Sequence, residues 1–353
     1  MPTEPARWLA MDVAARRVFR LSLTVALTLA AAYAIPLEMP FLAPIFAFML
    51  AAAPKPPMGV KGMLGLMLVL TLTLGVGLLL LPVLMHYPLT GLLLVFVGLF
   101  VTNFLSINLG KGAAATLLTA GITMITAAGT VSYVVASSII DAMVLGVALA
   151  VVCHWLVYPL FPEDSAATPV PEPAVDVVES NWLALRATLI VFPSFLLVLV
   201  NPAAYMPIVM KAVSLGQQTS ILDARHAGKE LLGSTLLAGL FAVVLWFGLS
   251  IAPNLWMFFL WTLLLGIFLA GKFYGVLATR YPPSFWQNVL VTMLILLGPA
   301  VEDSASGKDV YKAFAVRMGL FLLVTLYAWM ALIFLEWLRA RSSNRALGAL
   351  EVG

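Results

Sequence analysis

Apolar runs of about twenty residues, separated by short breaks of Pro, Gly and charge, recur along the whole chain and constrain it more than any motif. Crossing the hydrocarbon of a bilayer takes roughly 20 apolar residues, and a single segment that satisfies its own backbone there is an α-helix. The runs are therefore read as membrane helices, near 18–35, 40–53, 62–85, 88–107, 113–128 and 133–160 in the first half of the chain. Six more follow, near 183–200, 203–216, 229–252, 254–271, 284–299 and 309–338. Composition agrees, since 63% of the 353 residues are hydrophobic and only 10% are charged, too little polar surface for a soluble domain. The expected fold class is all-α and integral to the membrane, with about twelve transmembrane helices arranged as two parallel six-helix repeats.

Lys and Arg in short loops set the orientation of such a chain. With a cytoplasmic N-terminus, the inner side collects Arg7, Arg16, Arg17, Arg20, Lys55, Lys61, Lys111, Arg186, Lys211, Arg225, Lys229, Lys272, Arg280, Arg339, Arg341 and Arg345. Only Lys308 and Lys312 fall outside, so both termini are expected in the cytoplasm. Arg16, Arg17 and Arg20 lead a run that ends in Ala32-Tyr33-Ala34, a sequence resembling a signal-peptide cleavage site. A similar Arg-led run recurs in mid-chain from Arg186 to Val200, which favours reading the first run as a retained span.

Several function classes drop out. A net charge of +3 scattered over many loops makes no basic patch, which argues against a nucleic-acid partner. The single cysteine, Cys153, can form neither an internal disulfide nor a Cys-based zinc site, and His86, His154 and His226 have no metal-ligand spacing. No metal or other cofactor is expected. With no phosphate-binding loop, H-E-x-x-H or G-x-S-x-G sequence, the chain reads as a non-enzyme that does not use ATP directly.

Phe161 to Ser180 holds four prolines and five acidic residues without one Lys or Arg, the composition of an extended, solvated connector. The expected organisation is a first membrane repeat over 1–160, an acidic Pro-rich cytoplasmic linker over 161–182, and a second membrane repeat over 183–353. Laid over one another at an offset of about 163 to 169 residues, the halves share ordered anchors. Pro44-Ile45 meets Pro207-Ile208, Lys61 meets Lys229, Gly110-Lys111 meets Gly271-Lys272, Thr123-Met124 meets Thr292-Met293, and Gly129 meets Gly298. An even number of spans per half makes the repeats parallel, with a solute route between them.

Lys61-x3-Gly65 and Lys229-x3-Gly233-Ser234, each opening the third run of its half, resemble a feature of the fusaric-acid-resistance and aromatic-acid-exporter superfamily. Lys stands at both positions where that group has Arg, and the large cytoplasmic domain of many of its members has no counterpart here. The resemblance is to a compact subgroup often encoded beside HlyD-type periplasmic adaptors. It implies a bacterial inner-membrane efflux component for small organic or aromatic compounds, anionic ones foremost, with a small organic solute, the lipid bilayer and an HlyD-type adaptor as partners. A passive anion channel, in the manner of the plant malate channels that the superfamily resembles, and a non-transporting scaffold of an adaptor complex are the alternatives.

Candidate transport residues come from polar groups inside apolar runs. The second runs of both halves are short and punctuated by proline, and paired short elements of this kind mark binding sites in repeat transporters. Thr116, Thr119, Thr123, Thr126 and Thr130 fall on one helical face. Thr119, Thr123 and Thr126, with Asn103 in the fourth run and Asn288 and Thr292 in the eleventh, either line a substrate pathway or join helices through hydrogen bonds. Asp141 and Arg317 each lie eight residues from the outer side of their runs, about 12 Å deep. They are expected to face inward as an intramembrane charge pair, either a proton-gated site or a static ion pair. Lys61, Lys229, Lys111 and Lys272 form a cytoplasmic basic set that either gathers anions or anchors helix ends.

Overall fold

The computed structural model describes residues 11–35, 37, 39–109, 118–163, 177–219 and 224–351. Among them, one helix falls on each of the twelve apolar runs. In the first half these are α1 (Val13–Ala34), α2 (Leu42–Ala51), α3 (Val60–His86), α4 (Pro88–Leu109), α5 (Leu118–Val131) and α6 (Tyr133–Val157). The second half forms α7 (Val177–Val200), α8 (Pro202–Thr219), α9 (Ala224–Ile251), α10 (Leu255–Phe273), α11 (Pro283–Ala305) and α12 (Val310–Glu351). Lys111, Thr116, and most of the Pro-rich connector, residues 164–176, lie outside the described residues.

Nine of these helices are long and apolar enough to cross a membrane. Helices α2 and α5 are apolar but short, and α8, with Pro207 inside it, is not among the nine. At 10 residues α2 is about 15 Å long, half of the roughly 30 Å hydrocarbon. Leu64, Leu68, Leu72 and Leu79 leave an exposed apolar stripe along α3, and α4 shows Leu89 and Leu93. Stripes of that extent demand a covering, and lipid tails supply it. The chain is a helical, multi-pass membrane protein.

The helices form two compact units. The first comprises Met1–Leu72, Ser137–Pro171 and Leu237–Phe314. In it α1 packs along α10 and against α2, while α11 packs against α10 and α2. Gly266 lets α10 approach Ser22 on α1, where an added Cβ would lie 3.3 Å from the serine's Cβ. Small residues permit such close packing between membrane helices, where no hydrophobic drive exists to bring them together. Hydroxyls on α1 are kept dry by bonding back one turn: Ser22 to the Val18 carbonyl, Thr24 to that of Arg20 and Thr28 to that of Thr24, each at 2.7 Å. Helix α11 is the most enclosed, with residues from Asn288 to Ala300 buried without interruption.

The second unit comprises Thr73–Ala136, Glu172–Leu236 and Ala315–Gly353. Here α7 packs along α8 and α4, and α5 touches α4, α7 and α8. Val95, Leu99, Met124, Val191, Phe195 and Val213 form its core, with Phe96 of α4 edge-on to Phe192 of α7 at 5.2 Å. Within α5 the turn Gly121–Ile125 is π-helical, wound wider than its surroundings. A Cβ at Gly121 would come within 2.3 Å of a Leu74 methyl on α3, so that leucine side chain would have to shift to admit one.

Counted within each half, the first unit joins the first and second helices of one half to the fourth and fifth of the other. The second unit does the same with the halves exchanged. Each unit thus draws on both halves of the sequence, and the third and sixth helices of each half contribute to both units.

Candidate functional site

Charge buried among apolar helices is the first place to look for function in such a protein. Arg16 and Arg20, one turn apart on α1, share a helical face and are both buried. They reach the residues that follow α6: Arg16 donates to the Pro162 carbonyl at 3.0 Å and Arg20 to that of Phe161 at 3.4 Å. Arg17 donates through Nε to Glu163 Oε1 at 2.8 Å and through Nη2 to the same oxygen. Arg20 Nη2 stands 2.8 Å from Glu163 Oε2, and its guanidinium lies over the Tyr158 ring at 5.6 Å. Burial by itself would raise the Glu163 carboxyl, but the hydrogen bonds and charges of Arg17 and Arg20 outweigh it and hold the group below the ordinary carboxylate range.

A second clamp sits in the other unit. Arg186 on α7 donates to Glu336 on α12 at 2.5 Å, and Trp182, one turn before Arg186, donates its indole N–H to the same oxygen at 3.2 Å. Arg339 lies over the Trp182 ring at 5.7 Å. Each clamp joins the first helix of a half to that half's sixth helix or to the residues just past it. Sequence reasoning placed these arginines at the inner rim as orientation charges and passed over their partners. A signal was present: Glu336 is the one acidic residue between Val310 and Leu338.

The hydroxyl and amide candidates bond either to a neighbouring helix or within their own. Thr102 on α4 meets Thr119 on α5 at 3.2 Å, and Asn103 donates to Thr188 on α7 at 3.1 Å. Thr123 donates to the Thr119 carbonyl at 2.7 Å, and Thr126 to the Gly77 carbonyl on α3 at 3.3 Å. In the first unit, Thr292 donates to Asn288 at 3.1 Å along α11, and both are buried. The six candidates and their partners Thr102 and Thr188 are all buried.

The remaining candidates are dispersed. Asp141 is exposed on α6 in the first unit, and Arg317 is half-buried on α12 in the second. Lys61 and Lys229 are exposed at the starts of α3 and α9. Lys272 donates to the Ala278 carbonyl at 2.7 Å and lies near the rings of Phe268 and Trp286, which ties down the loop after α10. Lys211 is 0% exposed within α8, eight residues from that helix's end.

Residues 17–157 match the family model described as a protein of unknown function, DUF2955. The match begins at Arg17 on α1 and stops at Val157, the last residue of α6, so it takes in all six helices of the first half. Arg20, Asn103 and the threonines of α5 lie within the DUF2955 match; Glu163 lies beyond it. No curated protein and no solved structure matches the chain.

Proposed function

We propose that this protein is a bacterial inner-membrane transporter, an efflux component for small organic or aromatic anions that works with a periplasmic adaptor. Its twelve helices all act as membrane elements, in two parallel six-helix repeats with both termini cytoplasmic. The observation that carries the transport reading is the matching internal build of the two units. Each takes the first and second helices of one half with the fourth and fifth of the other, and each bears an arginine–glutamate clamp at the first helix. Paired bundles of this kind are how secondary transporters expose a midplane site to alternate sides. The end of the DUF2955 match at Val157 supports six helices as the repeating unit. Efflux, the solute class and the adaptor rest on the Lys-x3-Gly resemblance.

In this reading Thr119, Thr123, Thr126, Asn103, Asn288 and Thr292 serve the solute by exchanging their present partners for it. Asp141 and Arg317 supply the intramembrane charge. Flux of radiolabelled benzoate in proteoliposomes, with and without an imposed pH gradient, tests the proposal. Uphill accumulation driven by the gradient is the expected result. Purely dissipative flow would make the protein an anion channel, and no flux, with or without an adaptor, would leave it a scaffold.

A further inference from the structure

At the end of the first unit remote from the arginine clamp, the structure holds a cavity of about 500 Å³. Tyr33, which lines it, lies 17 residues beyond Arg16 on α1, about 25 Å along the helix axis. The walls are the rings of Tyr33, Trp246 and Phe258 with Leu249 beside them, and Ser250 and Ser304 stand exposed at the rim. Phe258 meets Tyr33 edge-on at 5.2 Å. Among the described residues, no Lys, Arg, His, Asp or Glu lines this space. Its size falls in the roughly 300–1,000 Å³ range of small-molecule sites.

One polar group inside is unsatisfied. The Tyr33 hydroxyl is buried and has no hydrogen-bond partner among the described residues. Buried hydroxyls are ordinarily paired, so an orphan in the wall of a cavity, covered until the Tyr33 ring turns, is the group that an entering ligand completes. Three aromatic walls favour a flat ring, stacked or edge-on. An anionic ligand would be desolvated there with no Lys, Arg or His among the described lining residues to neutralise it. The geometry points to a binding site for an uncharged aromatic compound that carries one hydrogen-bonding oxygen, such as a phenol, an aryl ketone or the ring of a lipid quinone. None of the six residues proposed to serve the solute lines this cavity, and the site stands whether or not the protein transports.

The test uses the full chain in nanodiscs of phosphatidylcholine and phosphatidylglycerol at neutral pH, with tritiated 2-naphthol as probe and empty nanodiscs as the partition baseline. Saturable binding above that baseline is expected, with 2-naphthoate at least tenfold weaker. Tyr33→Phe should weaken 2-naphthol about fivefold, the net worth of one neutral hydrogen bond. Ser304→Trp and Ser250→Trp start from exposed positions and fill the cavity, and should abolish binding while the protein stays monodisperse. Equal affinity for 2-naphthoate, or saturable binding that survives both filling variants, would overturn the assignment. Organic extracts of the purified protein separate the sources. A quinone retained by the wild type and lost in Ser304→Trp marks a membrane ligand, whereas saturable 2-naphthol binding with none retained marks a diffusible one. Phospholipid alone in the extract, with no 2-naphthol binding, also overturns it.

Discussion

Replacing Glu163 by glutamine removes the carboxylate that Arg17 and Arg20 share, and the structure sets the size of the effect. Arg20 is 0% exposed and Glu163 7%, so their half of the cluster behaves as a buried pair, whereas Arg17 at 25% can hydrate once released. Stripping one partner from a buried pair costs about 3–5 kcal/mol, and an exposed pair is worth about 0.2–1 kcal/mol. Arg20 retains its bond to the Phe161 carbonyl in the variant, which moderates the loss. An intermediate destabilisation of about 2 kcal/mol is expected for Glu163→Gln. Equilibrium unfolding in mixed detergent micelles, followed by tryptophan fluorescence, reads it. In a cycle with Arg20→Met the two losses should fall short of additivity by at least about 1 kcal/mol. Because the folded Glu163 carboxyl lies below its ordinary range, its stabilisation is complete above about pH 4.3 and fades as pH falls through the depressed value. Glu163→Gln should flatten that acid limb. Strictly additive losses, or an acid limb unchanged in the variant, would refute the clamp.

Further outcomes follow from other contacts. Gly298→Ala would put a Cβ 2.2 Å from Phe41 Cγ, so it should destabilise by about 1–3 kcal/mol in the same unfolding assay, and Phe41→Ala should suppress much of that loss. Asn103→Leu and Thr188→Val should show a coupling of about 0.6 kcal/mol, the usual worth of a hydrogen bond between membrane helices. Asp141 is exposed on a membrane helix, where a carboxylate facing lipid costs about 2.5–3.5 kcal/mol, so Asp141→Asn should leave the protein at least as stable as wild type while removing pH-gradient-driven uptake in proteoliposomes.

The helices were legible because hydrocarbon demands long apolar runs, and that demand is written locally. Even α2 and α5, too short to span comfortably, announced themselves through flanking prolines and glycines. Which helix lies beside which was not legible. The pairing of α1 with α10 depends on Gly266 meeting Ser22, two small residues with nothing to distinguish them from the others in their runs. The threonine stripe was readable as a face, but its partners were not, since Thr126 bonds a backbone carbonyl at Gly77 that no side-chain pattern reveals. Counting positive charges placed Arg20, Arg186 and Lys211 at the inner rim; burial, which depends on neighbours distant in sequence, was beyond that count. Glu163 opened an acidic connector and looked solvated for that reason, although two arginines enclose it.

The wide turn at Gly121–Ile125 gives α5 one residue of slack beside its threonines. If that slack is taken up into ordinary winding, everything beyond the turn rotates by about 100° and advances about 1.5 Å, with no other part of the helix unwinding. Thr126 would then swing off the Gly77 carbonyl and face a different neighbour. A short rod can in this way act as a screw, turning its far end while its near end stays fixed.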